Sequence, residues 1–281
     1  VTTTGTVLDE IIAGVREDLD RRRGDVGPQT LERLATQTPP ARDARRSLEG
    51  SGHRMGLIAE VKRKSPSKGS LADIPDPAQL AQTYAAAGAG AISVLTEQRR
   101  FGGSLTDLDA VRDSVDVPVL RKDFTVDPYQ VVEARVHGAD VVLLIVAALD
   151  DALLRDLHQL TGELGMQALV EVHTPRELER ALAVDPQLLG VNARDLRTLK
   201  VDLDRAATIL REIPDGPLAL GESAVTGVQD VRTYAAAGAD AVLVGEALVT
   251  GADPAARVQE FTAVERIGQA RSATSTKGAD S

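Results

Sequence analysis

Tyr84-Ala-Ala-Ala-Gly-Ala-Gly-Ala91 occurs again, with one residue changed, as Tyr234-Ala-Ala-Ala-Gly-Ala-Asp-Ala241. Each copy runs into an apolar, β-branched stretch. A weaker third copy reads Ala134-Arg-Val-His-Gly138-Ala-Asp-Val-Val-Leu143. The pattern is a helix end, a glycine cap and a strand start, which is the joint of an αβ unit.

Working outward from these joints, eight candidate strands emerge. They are Leu57–Val61, Ala91–Leu95, Val117–Leu120, Val141–Ile145, Ala168–Val172, Leu188–Asn192, Pro217–Leu220 and Ala241–Val244. Most are continuous apolar runs rather than alternating ones, as expected for a sheet covered on both faces. Their starts lie 20 to 34 residues apart, room for one helix each. Pro77–Ala87, Asp107–Val115, Pro128–Val136, Asp150–Leu164, Pro175–Ala183, Leu203–Ile213, Gly227–Ala237 and Pro254–Phe261 read as those helices. Several begin with Asp or Thr before Pro, a helix-start signal. Strict alternation implies a parallel α/β fold. The count, and the lack of a glycine-rich loop after the first strand, favour a (β/α)8 TIM barrel over a doubly wound sheet. Gly88-Ala-Gly90 precedes its strand instead of following one, so it is not a dinucleotide loop.

Residues 1–56 form an N-terminal extension, with helices expected over Val7–Arg22, Thr30–Ala35 and Ala41–Leu48. The extension is expected to pack on the barrel of residues 57–261. Residues 262–281, small and polar from Gly268 onward, are expected to be a disordered tail.

The chain has 281 residues, 43% of them apolar, enough for a sizeable core. It contains no apolar run long enough for a membrane span. It also shows no apolar stretch before a small-residue cleavage site, so no secretory signal is expected. Cysteine is absent, which removes disulfides, thiolate metal sites and cysteine nucleophiles together. That fits a reducing, cytoplasmic setting. A net charge of −10 and only three Tyr and three Phe argue against nucleic acid and anionic membrane surfaces.

In a barrel the site sits at the C-terminal ends of the strands. The first strand ends Ile58-Ala-Glu60-Val-Lys62, and residues two apart share a face, so Glu60 and Lys62 both point inward. Such charges are costly unless paired or bound to a ligand. A buried ion pair plugging the barrel mouth is the structural alternative. The third strand leads into Lys122 and Phe124, a cation beside an apolar wall suited to a flat aromatic substrate. Glu171 is an inward carboxylate of the fifth strand. Asn192 and Arg194 share a face after the sixth. Four strands delivering polar groups to one rim point to catalysis rather than packing. Phosphate binding is expected at the loops after strands seven and eight, Gly221-Glu-Ser223-Ala224 and Gly245-Glu246-Ala247, with Ser65 adding a hydroxyl. Glu246 is expected to point outward, away from phosphate. His53, His137, His158 and His173 lack metal-ligand spacing and are read as surface or core residues. His173 is expected on the face opposite Glu171. No metal site is expected.

These strings together resemble the indole-3-glycerol phosphate synthase family. The resemblance rests on Ile58-Ala-Glu-Val-Lys-Arg-Lys-Ser-Pro-Ser-Lys-Gly69, Val94-Leu-Thr-Glu97 and Phe101-Gly-Gly-Ser104. It continues through Pro118-Val-Leu-Arg-Lys-Asp-Phe124, Asp127-Pro-Tyr129, Leu169-Val-Glu-Val-His173, Gly190-Val-Asn-Ala-Arg-Asp-Leu196 and Val244-Gly-Glu246. It runs colinearly over roughly residues 7 to 261. The resemblance implies a cofactor-free carboxy-lyase of tryptophan biosynthesis acting on 1-(2-carboxyphenylamino)-1-deoxyribulose 5-phosphate, a phosphorylated anthranilate derivative. It implies Lys122 as proton donor in ring closure, Lys62 and Glu171 as the acid and base of dehydration, and Glu60 orienting Lys62. Asn192 would position substrate hydroxyl or carboxylate oxygens, Ser223 would add a hydrogen bond near the same polar cluster, and Arg194 would set its loop or meet substrate. Phe101, Phe124 and Leu196 would line the slot for the ring. Ser65, Ala224, Gly245 and Glu246 match the family's phosphate cradle. A monomer is expected, with association with other enzymes of the pathway left open. Other phosphate-binding barrels of the same pathway, or a ligand-binding barrel without chemistry, are the alternatives.

Three positions depart from the family pattern. Ala224 stands where glycine is usual, and would strain the loop if the backbone there needs positive φ. Arg100 precedes Phe101 where a second aromatic is frequent. Ala193 replaces a frequent Asn.

Overall fold

The computed structural model describes residues 5–50 and 52–267. Eight parallel strands close into a barrel: β1 (Gly56–Val61), β4 (Ala91–Leu95), β5 (Val119–Lys122), β6 (Val141–Ile145), β7 (Gln167–Val172), β8 (Leu188–Asn192), β9 (Leu218–Glu222) and β10 (Ala241–Val244), with β10 pairing back onto β1. This is the (β/α)8 architecture expected from the repeat. A small antiparallel hairpin, β2 (Lys64–Ser65) with β3 (Gly69–Ser70), follows the first barrel strand. The sequence reading did not anticipate it.

The helices of the barrel are α4 (Pro77–Ala86), α5 (Leu105–Ser114), α6 (Pro128–Val136), α7 (Asp151–Glu163), α8 (Pro175–Leu182), α9 (Leu203–Arg211), α10 (Val228–Ala236), the short α11 (Glu246–Val249) and α12 (Pro254–Thr262). The Asp-Pro and Thr-Pro starts are caps. The side chains of Asp76, Asp127, Thr174 and Asp253 each accept a backbone N–H in the first helical turn.

The repeated Gly-Ala-Asp has a structural reason at both ends. Gly138 and Gly238 have φ of +73° and +93°, the left-handed geometry that ends a helix. Asp140 then accepts the backbone N–H of Val119 at 2.8 Å, and Asp240 that of Ala219 at 2.9 Å. Each aspartate thus ties its strand to the preceding one at the bottom of the barrel.

Two strand ends differ from the sequence expectation. The third barrel strand starts at Val119 and runs through Lys122, and the seventh runs on to Glu222. Both extensions carry charged residues into the barrel, where apolar patterning alone ends the strand too soon. A further difference lies at the C-terminal side. Val264 is buried, its carbonyl accepts Met55 N at 2.8 Å, and Arg266 N donates to His53 O at 2.8 Å. Residues 262–267 therefore close the base of the barrel rather than starting a tail. Residues 268–281 lie outside the described residues.

The extension forms α1 (Val7–Asp25), α2 (Pro28–Ala35) and α3 (Ala44–Glu49). Leu8, Ile11 and Val15 of α1 join the main core, while Leu19 and Leu31 pack with Tyr129 of α6. Arg22 donates to Glu133 at 2.8 Å, and Glu133 also receives Arg121 at 2.8 Å. Arg121 is fully buried and bonds Asp123, Glu133, Thr96 and the Gln130 carbonyl. One buried cation thus links the third barrel strand, α6 and the extension. Among the described residues no helix is long and apolar enough to cross a membrane.

Candidate active site

The inward positions at the C-terminal end of the barrel form one charged floor. Strand register places Glu60 beside Ser93, Leu95 beside Lys122, Ile145 beside Glu171, and Asn192 beside Glu222. Lys62 Nζ lies 3.2 Å from Glu60 Oε2. Lys122 Nζ lies 3.4 Å from Glu171 Oε2 and 3.7 Å from Glu222 Oε2. Glu60, Glu171, Glu222 and Asn192 are all buried.

Glycines make room for these carboxylates. A Cβ on Gly190 would sit 2.0 Å from Glu222 Oε1, and one on Gly245 would sit 2.3 Å from Glu60 Oε2. No side chain other than hydrogen fits at either position without displacing an acid.

The electrostatics follow from burial set against pairing. Burial works against the Lys122 charge, but Glu171, Glu222 and Glu60 together outweigh it and hold the ammonium above the ordinary lysine range. Burial likewise disfavours the Glu171 carboxylate, yet Lys122 and His173 keep it well below the usual carboxylate range. Burial pushes Glu222 well above that range, and the neighbouring Glu171 charge pushes it further. Two adjacent carboxyls with opposite shifts, bridged by one ammonium, favour one charged and one protonated group side by side.

Above the floor lies an apolar slot. Phe101 and Phe124 meet at a 41° tilt with ring centroids 6.1 Å apart, and Lys62 Nζ stands 5.9 Å from the Phe101 centroid. Ile11, Leu143, Ile145 and Leu196 line the same cleft. Ile11 brings the extension into contact with the site.

Beside the slot is an open cavity of about 610 Å³, lined by Ser67, Lys68, Arg194, Ser223, Ala224, Gly245 and Glu246 among others. Ser65, expected to contribute a hydroxyl here, lines the apolar cleft instead. It is buried and accepts Lys68 N at 3.2 Å, so it shapes the loop after β1. Ser223 and Ala224 both have positive φ, +65° and +58°. The left-handed backbone that favours glycine therefore exists at Ala224, and the alanine carries its strain. Arg194 Nη1 donates to the Leu199 carbonyl at 3.2 Å, and Arg194 N to Asn192 Oδ1 at 2.9 Å. Asn192 is thereby held by the loop that follows it.

Glu246 and His173 also differ from expectation. Glu246 does not point away from the cavity. It lines it and pairs with Lys68 of the loop after β1, which neutralises the carboxylate that would repel an anion. His173 does not face away from Glu171. Residues two apart keep the same side, and His173 Nε2 lies 3.3 Å from Glu171 Oε1 in the buried floor. His53, His137 and His158 stand outside both cavities.

The sequence reading missed Glu222 and Lys68. Glu222 carries the same signal as Glu60 and Glu171, a glutamate at the inward end of an apolar run. It was hidden by ending the strand at Leu220. Lys68 sits in a loop whose hairpin has no periodicity to reveal it. Among the described residues, no cluster of three or more His, Asp and Glu side chains is arranged to hold a metal ion.

A family model described as indole-3-glycerol phosphate synthase matches residues 8–261. A protein of that name from Arthrobacter sp. (strain FB24) is 59% identical over 261 residues, 92% of this chain and 96% of its own length. Its namesake from Mycobacterium tuberculosis (strain ATCC 25177 / H37Ra) is 54% identical over 256 residues, 91% of this chain and 93% of its own length. Among solved structures, a 3-hexulose-6-phosphate synthase from Salmonella typhimurium superposes with a TM-score of 0.61 at 19% identity, covering 74% of this chain and 97% of that one. That likeness concerns the barrel alone. The matched span takes in every barrel strand and nearly all of α1, and the chain belongs to the indole-3-glycerol phosphate synthase family.

Proposed function

We propose that this chain closes the indole ring of 1-(2-carboxyphenylamino)-1-deoxyribulose 5-phosphate, with Lys122 as the proton donor, Lys62 and Glu171 as the acid and base of dehydration, and the phosphate held between Lys68, Ser223 and Gly245. The observation that carries the reading is the Lys122 ammonium between Glu171 at 3.4 Å and Glu222 at 3.7 Å, at the foot of an aromatic slot.

The ring carbon bearing the carboxylate attacks the ribulose carbonyl carbon, and a carbon–carbon bond forms. The carbonyl oxygen becomes a hydroxyl by taking a proton from Lys122. Its carboxylate neighbours keep the ammonium protonated at neutral pH, and the alkoxide formed by the attack is basic enough to take that proton. The bond to the carboxylate carbon then breaks, and its electron pair returns to the ring as carbon dioxide leaves. In the last step the new hydroxyl departs as water with a proton from Lys62, and the adjacent carbon gives a proton to Glu171 as the double bond forms. Overall one proton is consumed, one carbon dioxide and one water are released.

Glu60 keeps Lys62 oriented at 3.2 Å, and Asn192 holds substrate oxygens. Phe101, Phe124 and Leu196 take the benzene ring and exclude water. Lys68 cancels the Glu246 carboxylate beside the phosphate, Arg194 offsets phosphate charge, and backbone N–H groups at Ala224, Gly245 and Glu246 supply donors. Ser65 braces that loop. The helices of residues 1–56 serve as a cover packed on the barrel of residues 57–261. A monomer suits the surface, since Val201 and Ile267 are the large hydrophobic side chains exposed among the described residues. A cytoplasmic setting suits a cysteine-free chain.

The test is turnover of this substrate by the purified chain, followed by indole fluorescence without added metal or cofactor. Product formation that is lost in Glu171→Gln supports the reading, and a folded chain that binds the compound without converting it refutes it.

A further inference from the structure

His173 stands under Glu171, on the side of the carboxylate opposite Lys122. Its Nε2 lies 3.3 Å from Glu171 Oε1, while Lys122 Nζ reaches Oε2 of the same group. The other ring nitrogen, Nδ1, lies 3.0 Å from Glu177 Oε2. Glu177 Oε2 also accepts His173 N at 2.7 Å, and Glu177 N donates to the Thr174 hydroxyl at 3.2 Å. The first turn of α8 thus grips the imidazole through its backbone and its ring at once. His173 is 4% exposed and Glu171 is 1% exposed, so neither is screened by water.

The surroundings decide the charge. His173 is faced by Glu171 from its own strand, by Glu177 from α8 and by Asp195 from the loop after β8. Arg197 lies toward Glu177. Beyond Glu171 stand Lys122 and Glu222. With a proton on both nitrogens, His173 is hydrogen-bonded to Glu177 through Nδ1 at 3.0 Å and stands as an ion-pair partner 3.3 Å from Glu171, whose Oε1 makes no hydrogen bond. With one proton, it would leave a buried carboxylate oxygen facing a bare ring nitrogen.

We propose that His173, held as a cation by Glu177, is a positioning residue that aims the Glu171 carboxylate and fixes its charge for proton abstraction. This rests on the reading of Glu171 as the base. The geometry matches the general pattern in which a base is oriented by a third group. Glu171 is hydrogen-bonded to Lys122 on one side and faces the His173 ring at ion-pair distance on the other, and Lys122 also lines the cleft that meets substrate. His173 is buried behind Glu171 and acts only through it. The imidazole is pushed up to about 9, since its two glutamate partners outweigh the burial that disfavours its charge.

The experiment compares His173→Ala, His173→Gln and Glu177→Gln with the unaltered chain, reading kcat, KM and the pH profile of kcat. Removing the ring should lower kcat by about 30- to 100-fold while KM for the substrate stays within about threefold. The acid limb of the profile should move up by about one pH unit, because Glu171 loses a neighbouring cation. His173→Gln keeps a donor without the charge, so it should recover part of kcat but not the position of the acid limb. Nitrogen-15 spectra of the histidine rings should show one histidine doubly protonated above pH 8, and that signal should vanish in the His173 variants. A folded His173→Ala or Glu177→Gln enzyme with unchanged kcat and acid limb would overturn the proposal, as would a neutral His173 ring at pH 7. If His173→Ala fails to fold, the ring spectra and Glu177→Gln decide alone. Full turnover by Glu171→Gln would instead remove the base assignment itself, a failure distinguishable from that of His173.

Discussion

Ala224→Gly replaces a methyl group on a left-handed backbone. Ala224 has φ of +58° and follows Ser223 at +65°, so two consecutive side-chain-bearing residues hold a conformation that favours glycine. Relief of the alanine strain contributes about 1–2 kcal/mol. Against it stand the extra freedom glycine gives the unfolded chain, about 0.4–1 kcal/mol, and the loss of a half-buried methyl, a few tenths of a kcal/mol. The balance is a stabilisation of about 0.5 kcal/mol, a rise in Tm of about 1–2 °C for a chain of this size. Ala256, exposed in the first turn of α12 with an ordinary helical backbone, is the control. There Ala→Gly should cost about 0.5–1 kcal/mol. Urea unfolding of the two variants side by side reads the sign directly. Because the same loop lines the phosphate cavity, the variant should also bind the substrate at least as tightly. The strain argument fails if Ala224→Gly loses stability as Ala256→Gly does.

Other substitutions probe the floor and its supports. Gly190→Ala would place a Cβ 2.0 Å from Glu222 Oε1; it should cost about 1–3 kcal/mol and lower kcat, and unchanged values in both assays would count against Glu222 facing the floor. Glu133→Ala strips a buried partner from Arg121 and an anchor from Arg22 of α1. Chemical denaturation should show a loss of about 3–5 kcal/mol, and a loss under about 1 kcal/mol would contradict the buried network. The His173 proton also sets a pH dependence of stability. Its pKa is raised from 6.5 to about 9, so the folded chain holds a proton that the unfolded chain releases. That contribution is fully present below pH 6.5 and is lost as pH rises through about 9. It amounts to at most about 3 kcal/mol. Glu222, raised as well, acts in the same direction. Urea midpoints should fall over this window in the unaltered chain and fall less in His173→Gln, and equal slopes would remove the raised ring from the account.

The barrel was legible because its signal is repeated. Eight apolar runs, three of them reached through the repeated glycine joint, with four of the intervening helices opened by an Asp-Pro or Thr-Pro cap, leave little freedom in topology. The inward acids and lysines were legible for the same reason, since Glu60, Lys62, Lys122 and Glu171 interrupt apolar runs at their C-terminal ends. Glu222 escaped because Gly221 breaks the apolar run one residue before it, although that glycine is there to admit the Tyr234 ring, which a Cβ would meet at 2.3 Å. His173 was misplaced by a parity argument applied to the wrong face. Lys68 and the pairing of Glu246 depend on loops from opposite ends of the chain meeting over the barrel, and no local pattern encodes that meeting. The contact of Ile11 with the cleft is of the same kind.

The central claim is that the Lys122 ammonium delivers the proton of ring closure. Lys122→Met keeps an unbranched side chain one atom shorter and removes the proton. Turnover of the carboxyphenylamino-deoxyribulose phosphate, measured beside the binding of the same compound and the far-ultraviolet spectrum, isolates that loss. The account predicts a folded variant that still binds and whose kcat falls by at least about 100-fold. A folded Lys122→Met enzyme with kcat within about threefold of the unaltered chain would contradict it.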